Sequence, residues 1–304
     1  MKYRQLGSLS VSIVGIGCNN FGGRIDEPAA HAVVHAALDT GINFFDTADV
    51  YGSTKSEEYL GRALGDRRGE ALIATKFGHR IDDQRKGAHP EYIRQAVEDS
   101  LRRLGTDVID LYQLHTPDAT VPIADTLGAL DDLVKAGKVR QIGCSNFTVE
   151  MLQEAEAAVK PGAARFVSVQ NHYSLFHFKP ELPVIAECAR ASIGYLPYFP
   201  LASGLLTGKY RRGEPVTSGR LANSPRKDQL LTEENFDKVE QLTAYAEQRG
   251  HTILDLAFGW LLWHQVIPSV IAGATKPEQV HANAAASSWI LTDDEVAEIN
   301  AIMA

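Results

Sequence analysis

Four apolar, strand-like runs in the first half of the chain each lead into a polar residue able to do chemistry. They are Gly41-Ile42-Asn43-Phe44-Phe45-Asp46-Thr47-Ala48-Asp49-Val50-Tyr51, Ala71-Leu72-Ile73-Ala74-Thr75-Lys76, Val108-Ile109-Asp110-Leu111-Tyr112-Gln113-Leu114-His115 and Val139-Arg140-Gln141-Ile142-Gly143-Cys144-Ser145-Asn146. If these are successive parallel strands of one barrel, Asp46, Tyr51, Lys76 and His115 emerge on the same rim, where barrel enzymes place their chemistry. A phenol with an ordinary pKa of about 10 is a weak acid at neutrality. A neighbouring ammonium favours its phenolate, and a carboxylate keeps that ammonium in place and charged. A neutral imidazole beside them can donate a hydrogen bond to a substrate oxygen. Such a group delivers a proton to an oxygen that is gaining negative charge, as in carbonyl reduction. Taken singly, a strand-end Asp is an ordinary helix cap, and Lys76 alone would suit a Schiff-base lyase. The grouping on neighbouring strands is what favours proton delivery.

The elements that must position these residues alternate along nearly the whole chain. Strands are expected at Ser12–Gly17, Asn43–Phe45, Ala71–Thr75, Val108–Leu114, Val139–Gly143, Phe166–Val169, Ile193–Pro197 and Ser269–Ile271. Helices are expected at Pro28–Thr40, Lys55–Leu64, His89–Leu104, Ile123–Ala136, Thr148–Val159, Pro183–Ala191 and Val280–Ser287. In the third of these, Ile93, Ala96, Val97, Leu101 and Leu104 recur at helical spacing, an apolar stripe for packing on a sheet. Eight strands separated by helices predict an α/β fold of the (β/α)8 TIM-barrel type. A doubly wound open sheet would carry a Gly-rich phosphate turn after its first strand. Gly15-Ile16-Gly17 followed by Cys18-Asn19-Asn20-Phe21-Gly22-Gly23 does not match that spacing. Residues 2–13 read as an N-terminal β-hairpin turning at Gly7-Ser8, placed to plug the barrel floor. Residues 201–232 read as a long rim loop, and in a tight barrel such a loop is usually functional. Thr292–Ile302 reads as an extra C-terminal helix opened by a Thr292/Glu295 capping box. The stretch 233–268 receives no element, no linker is visible, and residues 1–304 read as a single domain.

The bulk composition narrows the function classes. A hydrophobic fraction of 44% with 22% charged residues argues for a folded globular chain rather than disorder. A net charge of −8, with Lys and Arg scattered, argues against nucleic acid as a partner. Cys18, Cys144 and Cys188 are odd in number and lack metal-ligand spacing, so no metal and a reducing, cytoplasmic setting are expected. The N-terminus lacks the apolar core of a signal peptide. No window supplies the roughly 18 apolar residues of a membrane span, so no membrane partner is expected.

The chain resembles an aldo-keto reductase over essentially its whole length. The resemblance is carried by Asn43-Phe44-Phe45-Asp46-Thr47-Ala48-Asp49-Val50-Tyr51-Gly52, Ala74-Thr75-Lys76, Leu114-His115, Gly143-Cys144-Ser145-Asn146-Phe147, Val169-Gln170-Asn171 and Pro200-Leu201-Ala202-Ser203-Gly204-Leu205-Leu206-Thr207-Gly208-Lys209-Tyr210. It is similar in particular to the bacterial branch related to β subunits of voltage-gated potassium channels. The resemblance implies NADPH-dependent, reversible reduction of aldehydes and ketones, with Tyr51 as general acid, Asp46 and Lys76 tuning it and His115 orienting the carbonyl. For the cofactor it implies carboxamide contacts at Ser145, Asn146 and Gln170, and a stacking ring at Tyr198. Phe199, Pro200, Leu201, Ser203, Gly204, Lys209 and Arg220 would follow the pyrophosphate. Gly273, Thr275, Lys276, Gln279 and Asn283 would meet the adenosine end, with Thr275 and Glu278 as a second capping box.

Three positions depart from the family pattern. Gln279 stands where many relatives carry an Arg for the 2′-phosphate, so Lys276 or Arg220 must supply that charge, and NADH is the alternative cofactor. Phe199 replaces a Ser, and Ala272 stands where Pro is common. The substrate end is expected to be lined by Asn20, Phe21, Phe77, His79, Tyr173, Phe176 and Phe178, an aromatic wall suited to hydrophobic or aryl carbonyls. The competing function is a nicotinamide-binding regulatory or sensor subunit with negligible turnover. The channel subunits lack His at the position of His115, and its presence favours the enzyme.

Overall fold

The computed structural model describes residues 1–222 and 224–304. β1 (Tyr3–Leu6) and β2 (Leu9–Ser12) pair antiparallel, with Gly7 at φ 57° in the turn between them. The barrel strands follow: β3 (Val14–Gly17), β4 (Phe44–Asp46), β5 (Leu72–Phe77), β6 (Ile109–Leu114), β7 (Val139–Ser145), β8 (Phe166–His172), β9 (Gly194–Tyr198) and β10 (Val270–Gly273). They pair in parallel in the order β10-β3-β4-β5-β6-β7-β8-β9. β9 and β10 lie side by side, and the Tyr195 N–H donates to the Val266 carbonyl, in the segment leading into β10, at 2.7 Å. The eight strands and their surrounding helices form the expected (β/α)8 barrel, with the N-terminal hairpin in place.

Strand alternation divides the barrel into three zones. Leu6, Leu9 and Val11 of the hairpin cluster with Phe44, Ala74, Leu111, Leu196 and Ile271 inside the barrel, so the hairpin closes its floor with apolar side chains. Phe45, Ile73, Tyr112, Cys144, Val169, Tyr195 and Ala272 point outward into the larger core shared with the helices. Two residues up from Phe44, Ala74, Leu111 and Ser168, the inward positions are Asp46, Lys76, Gln113 and Gln170, all buried. The interior thus changes from apolar floor to polar ceiling at the C-terminal end of the strands.

The helices begin and end within a few residues of their expected bounds, and Lys55–Leu64 does so without shift. Two long helices, Glu233–Glu247 and Ile253–Trp263, occupy the stretch left unassigned. Ile253–Trp263 is buried around nearly its whole circumference, so it carries no polar face and no legible stripe. The C-terminal helix runs Asp293–Ile302, with Thr292 and Glu295 forming the expected capping box. The second expected box is absent. The helix Pro277–Ala286 starts from Lys276 as N-cap without a side-chain cap, and Gln279 Oε1 instead accepts from the Thr275 N–H at 2.7 Å and from its hydroxyl at 3.1 Å. All three cysteines are free and buried. Among the described residues no helix is long and apolar enough to cross a membrane.

Candidate active site

Asp46 ends β4 and Lys76 lies one residue before the end of β5, so their inward side chains meet at the barrel ceiling. Lys76 Nζ donates to Asp46 Oδ2 at 2.6 Å and to the Thr47 carbonyl at 2.8 Å, with the lysine fully buried. The other carboxylate oxygen of Asp46 accepts from Gln170 Nε2 at 2.9 Å and from Gln113 Nε2 at 3.4 Å. Burial opposes the Lys76 charge, but Asp46 and then Tyr51 outweigh it, and its pKa stands above the ordinary 10.5.

Tyr51 sits on the turn after β4, with its ring centroid 5.2 Å from Lys76 Nζ. Its pKa is raised above 10.0: burial leads, and the lowering by Lys76 is partly cancelled by Asp46. Lys76 favours the phenolate, and burial of the phenol outweighs it. The carboxylate 2.6 Å from Lys76 cancels only part of the ammonium's pull, burial supplies the rest of the rise, and Tyr51 keeps its proton at neutral pH. His115, one residue beyond β6, meets Tyr51 edge to face at 5.7 Å and His79 at 4.1 Å. Burial, then the Lys76 charge and His79, push the His115 imidazole down to about 2, so it is neutral. Its Nδ1 is buried without a hydrogen-bond partner among the described residues. A neutral donor, a protonated phenol and a charged lysine thus converge on one point.

That point is the floor of a cleft of about 350 Å³ running across the rim to β10. Ser145, Asn146, Gln170, Tyr198, Phe199, Pro200, Leu201, Ser203, Gly204, Lys209, Arg220, Gly273, Thr275, Gln279 and Asn283 all line it, together with Asp46, Tyr51 and His115. Lys76 lies beneath the surface, behind Asp46 and Tyr51, and Lys276 is exposed outside the lining. Tyr198 donates its hydroxyl to Asn146 Oδ1 at 2.9 Å and stacks on His172 at 5.4 Å with 10° between planes, which fixes its ring as a flat cleft wall. Asn146 Nδ2 donates to the His115 carbonyl at 3.0 Å. Left-handed backbone at Asn146, Phe199, Ala202 and Ser203 concentrates strain on this rim, as functional sites do.

A nicotinamide dinucleotide needs a flat wall and a place for two phosphates, and both are present. Arg24, Lys209 and Arg220 line the cleft together. Burial, then Arg24 and Arg220, lower the pKa of Lys209, and burial and Arg24 lower that of Arg220. Like charges pressed together favour an anion between them. Gly204 runs at φ 98°, and a Cβ there would meet Lys209 Nζ at 2.6 Å, so the backbone reaches the cation only because it is glycine.

The expected substrate wall is not assembled. Of its seven residues only Asn20 and His79 line the cleft. Phe77 follows Lys76 on β5, and strand alternation sends it outward onto Tyr112 at 4.8 Å. Tyr173 stacks on Trp260 at 5.2 Å, and its hydroxyl lies 2.9 Å from His264 Nε2, behind the rim. Phe21 is fully buried under the loop after β3. Phe176 and Phe178 pack on the outer core, Phe178 edge-on to Trp260 at 5.6 Å. The end of the cleft near Tyr51 is therefore lined by the imidazoles of His115 and His79, while Asn20 donates its amide to the Ala274 carbonyl just past β10 at 3.3 Å. Asn19, Arg24, Thr207 and Gly219 also line the cleft, and no sequence signal singled them out. Gln113 joins the site unexpectedly as well, although its place two residues before His115 on an alternating strand announces an inward amide.

The sequence profile described as "Aldo/keto reductase family" matches residues 13–304. The chain is 33% identical to aldo-keto reductase YhdN of Bacillus subtilis, over 100% of this chain and 94% of that protein. It is 32% identical to a protein of Oryza sativa described as "Probable voltage-gated potassium channel subunit beta", over 100% and 97%. Superposition on the glycerol dehydrogenase AKR11B4 from Gluconobacter oxydans gives a TM-score of 0.87 at 32% identity, covering 99% of this chain and 95% of that one. With the profile matched over residues 13–304, the relatives 32–33% identical over the whole chain and the barrel shared, the chain belongs to the aldo/keto reductase family of oxidoreductases.

Proposed function

We propose that the protein reduces small, polar aldehydes and ketones to alcohols, reversibly, with a nicotinamide cofactor lying across the rim. The observation that carries this reading is the protonated Tyr51 set between the charged Lys76 and the neutral His115. When bound, the cofactor would supply a hydride to the carbonyl carbon. His115 donates a hydrogen bond that aims the carbonyl oxygen toward Tyr51. As that oxygen gains negative charge, Tyr51 gives up its phenolic proton to it. Lys76 stabilises the negative charge left on the Tyr51 oxygen, and Asp46 keeps Lys76 charged throughout. Gln170 and Gln113 hold Asp46 in the orientation that serves Lys76. Tyr198 offers its free face to the nicotinamide ring, Asn146 and Ser145 lie beside it, and Arg24 and Lys209 bind the pyrophosphate.

NADPH is the proposed cofactor, on the strength of the cationic cleft, with Arg220 as the group nearest to hand for a 2′-phosphate. Gln279 is engaged with Thr275 and Lys276 lies outside the lining, so the preference over NADH should be modest. The polar reacting end favours a hydroxylated carbonyl over an aryl one, in keeping with the structural likeness to a glycerol dehydrogenase.

The test is the loss of reduced-nicotinamide absorbance with a hydroxyaldehyde and with an aryl aldehyde, for wild type and Tyr51→Phe. Turnover that Tyr51→Phe lowers about 10²–10⁴-fold while cofactor binding persists is the expected result. Undiminished turnover in Tyr51→Phe would sink the mechanism. Tight cofactor binding with no turnover on either substrate would move the assignment to a sensor subunit, the reading suggested by the channel-subunit relatives.

A further inference from the structure

Outside the barrel wall, directly behind the turn that carries Tyr51, two carboxyl groups are buried together. Asp49 is 1% exposed and Glu57 is 0% exposed. Glu57 is fully engaged: Oε1 accepts from the Thr75 hydroxyl at 2.6 Å and Oε2 from Arg103 Nε at 2.6 Å. Asp49 is not. Its carboxyl has only marginal contacts, from the Tyr92 hydroxyl to Oδ2 at 3.4 Å and from the Val50 N–H, and its Oδ1 has no well-formed partner among the described residues. The Tyr112 hydroxyl, which faces the same space from β6, is also buried and unpartnered among them. Asp49 therefore meets a second carboxylate from the helix Lys55–Leu64 and two phenols from the helix Pro90–Leu104 and β6. Arg103, the cation that faces it, is already committed to Glu57. A carboxylate so placed is desolvated and repelled.

Position gives this carboxyl leverage over the site. The Asp49 N–H donates to the carbonyl of Lys76 at 3.1 Å, and Tyr51 is two residues further along the same tight turn. The turn has no slack: Ser53 and Thr54 are left-handed, and a Cβ on Gly52 would meet the Phe21 carbonyl at 2.2 Å.

We propose that Asp49 is a positioning residue for Tyr51 that works in its protonated, uncharged form, so that losing its proton loosens the turn and the placement of the phenol. Burial, then Glu57, push the Asp49 carboxyl up to about 7, against the opposing effect of Arg103, Tyr92 and the Val50 N–H. The switch therefore lies within the physiological range. This proposal rests on the carbonyl-reductase reading for its kinetic consequence but not for its structural one.

The experiment measures kcat against pH for wild type and Asp49→Asn, alongside the ring-carbon resonance of Tyr51 in protein labelled at tyrosine. Wild-type kcat should fall above a midpoint of about 7, and the Tyr51 signal should move with the same midpoint. Asn reproduces the shape and neutrality of the protonated carboxyl. In Asp49→Asn both the fall and the shift should vanish up to about pH 9, below the range in which Tyr51 itself titrates. Glu57→Gln removes the repelling charge and frees Arg103, so there the midpoint should move to lower pH. If wild type and Asp49→Asn share one profile, and the Tyr51 signal is flat in both, the proposal fails. If Asp49→Asn does not fold, an unmoved midpoint in Glu57→Gln overturns it equally. If no carbonyl is turned over at any pH, the reductase reading falls alone and the Tyr51 resonance still decides the role of Asp49.

Discussion

At the scale of single residues, the site is built by one buried ion pair and the amides that aim it. Lys76 has no exposure, and its charge is tolerable only because Asp46 lies at 2.6 Å and the Thr47 carbonyl at 2.8 Å. Asp46→Asn should leave a buried, uncompensated ammonium and lower stability by about 3–5 kcal/mol, read by denaturant unfolding near neutral pH. A loss below about 1 kcal/mol would mean that Lys76 is not charged in the folded protein. Which residues would form this group was legible in the sequence, because four reactive types each follow an apolar run. The direction of the Tyr51 shift was not, since it depends first on how deeply the fold buries the phenol, against the opposing pull of Lys76.

At the scale of elements, the reach of each strand decides what faces the cleft. β7 runs to Ser145 and β8 to His172, past their expected ends, because the barrel ladder continues through polar residues once their side chains can turn inward. The same alternation places Lys76 inside and Phe77 outside. Period two on β5, applied strictly from Lys76, is enough to exclude Phe77 from the substrate wall. The turn after β4 has the least tolerance. Gly52→Ala should force the turn away from the Phe21 carbonyl, which approaches the missing Cβ to 2.2 Å. The expected outcome is a loss of kcat much larger than the loss of stability, with cofactor affinity little changed. Equal kcat for Gly52→Ala and wild type would show that the position of Tyr51 does not depend on that close approach. The helices Glu233–Glu247 and Ile253–Trp263 differ in how far the sequence announces them. The first is announced by the Thr232 cap and by Phe236, Val239, Leu242 and Ala246 at helical spacing, whereas the second is apolar nearly all round and shows no stripe.

At the scale of the whole molecule, burial of neutral histidines sets the acid limit of the fold. The His115 imidazole is pushed down to about 2 by burial, Lys76 and His79, and that of His264 to about 4 by burial. Both folded-state values lie below the unfolded value of about 6.5. Between pH 6.5 and 4 the unfolded chain therefore binds more protons than the folded one, and stability falls as pH falls. Each such histidine should contribute a slope of about 1.4 kcal/mol per pH unit over that span. His264→Gln should flatten the measured slope by one such share, and an unchanged slope would show that His264 is protonated in the fold. Activity should show no acid limb from His115 above about pH 4, since its neutral form persists there.

By itself the sequence determined the alternation of strands and helices, the hairpin under the barrel, the capping box at Thr292 and the identity of the four rim residues. These are local signals, written in periodicity and in the order of residue types along short windows. Tertiary structure alone decided which polar groups share one dry space: Gln113 and Gln170 on Asp46, His79 against His115, Asp49 against Glu57, and Arg24 facing Lys209 and Arg220. It also decided that most of the expected aromatic wall packs behind the rim instead of lining it. Those outcomes depend on distances between residues far apart in the chain, and burial and charge act through distance rather than through sequence.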